Sequence, residues 1–207
     1  MTGLPEGRDA VQLWLHDVYG HQNDRPRPTL AARKLAEHPD LGQGDLFLAC
    51  AIGDESAIGR AIDGDPGCVT SLTQNWPCPC GKEMLDMPPL VAVTHSGLLQ
   101  VPEFRDRLRR CARILLEAGA DPNQSWLHQP TGYSLSALYG AAGKNHDHVL
   151  TKMLLDAGAN PNDNESLYHS TETVDLTCMR LLLEGGARVE GTNAVHHILD
   201  RDELEGL

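Results

Sequence analysis

Apolar residues in this chain fall on helical stripes rather than in strict alternation. Val11, Trp14, Leu15 and Val18 stand at i, i+3, i+4 and i+7, which predicts an amphipathic helix over residues 9–19. Thr29 is placed to cap a second helix that reaches His38, where Pro39 stops it, and a polar, proline-containing link separates the two. Further along, three stripes share one phase. Cys111, Ala112, Leu115 and Leu116 form the first; Leu150, Thr151, Leu154 and Leu155 the second; Cys178, Met179, Leu182 and Leu183 the third. An i, i+1, i+4, i+5 spacing is that of a helix with one buried face.

Each stripe runs into the same ending. Leu115-Leu116-Glu117-Ala118-Gly119-Ala120-Asp121-Pro122-Asn123 is repeated as Leu154-Leu155-Asp156-Ala157-Gly158-Ala159-Asn160-Pro161-Asn162. A third version, Leu182-Leu183-Glu184-Gly185-Gly186-Ala187-Arg188-Val189-Glu190, lacks the proline. The glycines at 119, 158 and 186 suit a left-handed residue that closes a helix, and Pro122 and Pro161 keep it from resuming. Upstream, Ser136-Ala137-Leu138-Tyr139 with Ala141-Ala142 recurs as Glu165-Ser166-Leu167-Tyr168 and Asn193-Ala194-Val195-His196, with weaker versions near Leu90 and Leu46.

Taken together, these motifs resemble the ankyrin repeat, with its Thr-Pro-Leu-His start, Ala pair, Leu-Leu and Gly-Ala-Asp. The wording is similar to that of bacterial ankyrin-repeat proteins of unassigned function. The resemblance implies an all-α solenoid of stacked helix-turn-helix units. Residues 1–43 are expected to form an N-terminal helical cap and residues 44–207 the array. Its units lie at about 44–68, 88–123, 136–162 and 165–190, with an incomplete one at 193–207. His196 takes the family's His position, and Tyr139 and Tyr168 replace it in the two preceding units. Asp202 to Leu207 is too short for a covering outer helix, so either further chain or a second molecule is expected over this edge.

Charge narrows the functional classes. A formal net charge of −12 disfavours a nucleic-acid or acidic-lipid partner. The longest apolar run, residues 46–52, is far below a membrane span, and no secretory signal is visible near Glu6 and Asp9. Reduced thiols and a cytoplasmic location are therefore expected. No phosphate loop, nucleophile elbow or paired-carboxylate motif supports catalysis, and no cofactor is expected. Arg105, Arg107, Arg109, Arg110 and Arg113 are read as a solvated outer face, the alternative being a dock for an acidic group.

Cys50, Cys111 and Cys178 occupy core positions and read as small buried hydrophobes. Cys68, Cys78 and Cys80, with His95 as a fourth ligand, are the residues of an alternative zinc-binding or redox-sensing reading, but Cys78-Pro79-Cys80 lacks the usual two-residue spacing. The expected function is a non-enzymatic module that binds a protein partner, or the regulatory part of a larger protein. The resemblance implies binding through the concave face and the inter-repeat fingers. Candidates are Trp76 in the insert 69–87; Trp126, His128 and Tyr133 in the insert 124–135; and His169 with Glu172 in the fourth unit. Aromatics on projecting loops suit interface anchors, although Trp126 and Tyr133 could equally fold back over the groove between repeats.

Overall fold

The computed structural model describes residues 7–20, 25–72, 76, 87–128 and 132–200. Those residues are mostly helical. Helix α1 (Arg8–Tyr19) and α2 (Pro28–Glu37) come first, followed by α3 (Leu46–Ile52) and α4 (Glu55–Gly64). Then come α5 (Pro89–His95) and the long α6 (Pro102–Glu117), with a 3-10 turn Gly97–Gln100 between them. A hairpin of β1 (Ser125–His128) and β2 (Tyr133–Ser136) leads into α7 (Ala137–Tyr139), which widens into a π turn Gly140–Lys144. The chain continues through α8 (His148–Asp156), α9 (Ser166–His169), α10 (Thr177–Glu184) and α11 (Ala194–Asp200).

Packing follows two rows. In one, α3 lies on α5, α5 on α7 and its π turn, the π turn on α9, and α9 on α11. In the other, α4 lies on α6, α6 on α8, and α8 on α10. The shared stripe is what joins them. Cys111, Ala112 and Leu115 of α6, Leu150, Thr151 and Leu154 of α8, and Cys178, Met179 and Leu182 of α10 are all buried. The fourth stripe position is an edge: Leu116 and Leu155 are only partly buried, and Leu183 is 39% exposed. Gly119, Gly158 and Gly186 have φ of 93°, 96° and 94°, the left-handed closure that a Cβ would strain.

The asparagines after those glycines fasten each pair to the next. Asn123 Nδ2 donates to the Gly158 carbonyl and its Oδ1 accepts from Asn160 N; Asn162 does the same with Gly186 and Arg188. Glu190 stands in the third position, where no amide can repeat the bond.

Three expectations need correction. Thr29 does not cap α2: Pro28 opens it at the first turn, where a missing N–H costs nothing, and Arg27 is the capping position. The arginines of α6 are only in part a solvated row: Arg113 is exposed and Arg110 keeps 53% of its side chain exposed, but Arg105, Arg107 and Arg109 are drawn in. Arg109 binds Asp147 at 3.0 Å, Arg110 binds Glu55 at 2.9 Å, Arg105 donates to the Leu99 carbonyl, and Arg107 lies over the Phe104 ring. Each Nε–H is shared between the two oxygens of its carboxylate, and these charge-assisted bonds tie α6 to the cap of α8 on one side and to α4 on the other. His196 is exposed, and it is His197 that pairs with Thr171 Oγ1, at 2.8 Å.

Helices α1 and α2 pack on each other. They are joined by Trp14, whose indole N–H donates to the Ala31 carbonyl, and by the fully buried Asp17. Lys34 donates to that carboxylate at 2.6 Å, and Arg27 Nη2 lies 2.6 Å from its other oxygen as an ion pair. Tyr19 then reaches across the inner row. Its ring stacks on Phe47, its hydroxyl donates to the Ala92 carbonyl, and its own carbonyl accepts from Lys144 Nζ at 2.7 Å.

Cys50, Cys111 and Cys178 are at most 1% exposed. Burial pushes the Cys50 thiol well up, the Cys111 thiol to about 12 and the Cys178 thiol to about 11. All three should therefore resist alkylation in the native protein and react freely in denaturant, read by mass spectrometry of each cysteine peptide. Rapid native labelling of Cys111 or Cys178 is incompatible with this packing.

Candidate interaction surface

The inner row changes character along its length. All seven residues of α5 are buried, with Tyr19 closing over Ala92. In α9 only Ser166 and Leu167 are buried, and Tyr168 and His169 remain half-open. From the buried His95 outward, the half-open side chains form a ladder of rings. His95 meets Tyr139 at 5.7 Å between centroids, Tyr139 meets His169 at 5.2 Å, His169 meets Tyr168 at 4.7 Å, and Tyr168 meets His197 at 5.3 Å. Most are edge-to-face contacts, the arrangement aromatic quadrupoles favour.

Carboxylates flank this ladder. Glu172 accepts from His169 Nδ1 at 2.9 Å, and Glu165 lies 3.3 Å from Nε2. Burial, then Glu165, Glu172 and Asp163, push the Tyr139 phenol up to about 12. Asp163 itself accepts from Ser166 N and Oγ and from Ser136 Oγ, which ties the base of the hairpin to the start of α9.

The insert 124–135 is an antiparallel hairpin, with Trp126 opposite Leu135 and His128 opposite Tyr133. The sequence marks it only as an inter-repeat finger; the Trp-Leu-His and Tyr-Ser-Leu runs around Gly132 are the local signal for its strands. Alternation separates its faces. Trp126, Leu135 and Tyr133 share one face and Leu127 with Ser134 the other. Trp126 is partly buried against the core, whereas Leu127 and, at the far end of Trp126's own face, Tyr133 are 50% and 59% exposed. A cleft of about 250 Å³ opens beside it, lined by Asn123, Ser125, Ser134, Ser136, Asn160 and Asp163. Trp76 is placed elsewhere, its indole N–H donating to Asp45, the cap of α3.

His169 and Glu172 are therefore together on the ladder, Trp126, His128 and Tyr133 on the hairpin, and Trp76 on neither. The zinc reading cannot be followed through, because Cys78 and Cys80 lie outside the described residues. Cys68 is buried in the 3-10 turn Pro66–Thr70. His95 is buried too: Nδ1 contacts the Val91 carbonyl, and Nε2 has no hydrogen-bond partner. Burial, with Lys144 nearby, drives its imidazole well below the ordinary range. Among the described residues no group of three His, Cys, Asp or Glu is set to hold a metal ion, and no helix is long and apolar enough to cross a membrane.

Recurring helix pairs with a half-open strip and a projecting hairpin describe a helical protein built from similar units. A stretch of 67 residues, 32% of this chain, is 42% identical to a putative ankyrin repeat-containing protein of Treponema pallidum (strain Nichols). The match spans 20% of that relative's length. The likeness supports an ankyrin-repeat relationship, and no family model matches the chain.

Proposed function

We propose that the two helical rows are an ankyrin-type solenoid, and that the chain is a non-enzymatic module that recognises a protein partner through the inner row and the hairpin. The supporting observation is the contrast between α5, closed on every side, and α9, which with the flanking Glu165 and Glu172 presents rings and carboxylates to solvent. Helices held by stacking and by the Asn123 and Asn162 bonds lose little conformational freedom on binding, so the surface is preorganised. In this reading Tyr133, at the exposed far end of the hairpin, and Leu127, on its other face, contact the partner, and Trp126 holds the hairpin in place.

The test uses the full chain for affinity capture from its native cell. Tyr133→Ala should leave unfolding within about 0.5 kcal/mol of the parent and weaken capture, whereas Trp126→Ala should cost about 2 kcal/mol. A Tyr133→Ala variant that binds as well as the parent, or unfolds as easily as Trp126→Ala, overturns the role given to the hairpin.

A further inference from the structure

The ladder carries a definite charge as well as a shape. Residues 161–200 contain seven carboxylates and two arginines. Both arginines lie off the ladder, Arg180 on α10 and Arg188 in the turn after it. Lys144, the nearest cation on the inner row, is drawn inward to the Tyr19 carbonyl. His169 stands between Glu165 and Glu172, and one imidazole between two carboxylates leaves at least one negative charge uncompensated. These groups are accessible: His169, Glu165 and Glu172 keep 24%, 20% and 39% of their side chains exposed. Tyr168 adds an aromatic ring among them.

We infer that the strip formed by Tyr139, Glu165, Tyr168, His169 and Glu172 is a docking site for a basic, extended peptide segment, with an arginine or lysine head placed over a tyrosine ring and between the carboxylates. Resting on the interaction reading above, the inference adds the chemistry of the partner. Aromatic faces attract cations through their quadrupole, and carboxylates within reach add a charge-assisted hydrogen bond. Charge argues against the other occupants. A second copy brings a net charge of −12, and residues 201–207 carry three carboxylates against one arginine. A nucleic acid is repelled for the same reason.

The probe is a fluorescein-labelled synthetic peptide of alternating Arg and Gly, titrated into the full chain by anisotropy, with an alternating Glu and Gly peptide beside it. The Arg peptide is expected to bind and the Glu peptide not to. Glu172→Gln and Tyr168→Leu should each weaken the Arg peptide about five- to tenfold with little change in melting temperature. Glu117→Gln and Glu184→Gln, on the exposed ends of α6 and α10, should leave it unchanged. Should Tyr168→Leu lower the melting temperature, Glu172→Gln alone decides, since Glu172 is exposed. Equal weakening by the α6 and α10 variants, or none by Glu172→Gln, overturns the inference. Capture of the native partner that depends on Tyr133 and ignores Glu172 also overturns it, but leaves the interaction reading standing.

Discussion

Gly97→Ala should unfold this protein about 3 kcal/mol more easily, a fall of roughly 6–12 °C in melting temperature for a chain of this size. A Cβ at Gly97 would stand 2.6 Å from the backbone carbonyl of Val18 and 3.1 Å from Pro26 Cβ. No side-chain rotation relieves a clash with a carbonyl at the end of α1. The helix must move off the Gly97–Gln100 turn, carrying Tyr19 away from Ala92 and Lys144. The same change at Gly59 should act in the opposite direction. That glycine lies within α4 with open space around it, so alanine should stabilise by a few tenths of a kcal/mol to about 1 kcal/mol. Urea denaturation of both variants checks the pair. A Gly97→Ala protein as stable as the parent means that α1 does not dock on this turn.

Stability should rise as pH climbs from 5 to about 8 and turn over at higher pH. Below the ordinary histidine value of 6.5 the unfolded chain takes a proton that buried His95 refuses, so stability is lost as pH falls. Burial lowers Lys144 to about 7 from an ordinary 10.5. Above pH 7 the unfolded state therefore holds the extra proton, and stability grows by about 1 kcal/mol between pH 7 and 8. Above pH 8 the buried thiols increasingly oppose it, because the unfolded chain releases protons that the folded chain keeps. Lys144→Met keeps a stem beside Tyr19 and removes the ionisable head, so its stability should be flat from pH 7 to 8. A parent protein equally flat across that interval would show Lys144 to be solvated.

The helix faces were legible because each stripe is local: Cys111 to Leu116 announces its buried side without reference to anything else. So were the three closing glycines. The ladder was half legible. His169 and Glu172 could be picked as candidates, but nothing in one dimension says that Tyr139 and His169, thirty residues apart, will meet edge to face. Arg109 and Arg110 failed for the same reason, since Asp147 and Glu55 lie 38 and 55 residues away from them in the chain. An amphipathic pattern marks which side of a helix faces out, not which carboxylate waits there.

The bond from Lys144 to the Tyr19 carbonyl spans 125 residues, and that from Tyr19 to Ala92 spans 73. During synthesis, then, α1 meets α2 soon after it leaves the ribosome, through Trp14 and Ala31, but the seats of Tyr19 come much later. The later pairs need only the neighbour just made, whereas the Tyr19 end of α1 waits for Ala92 and then for Lys144. That end is made long before it can be locked, and through the interval it is exposed to wrong contacts that a chaperone would cover.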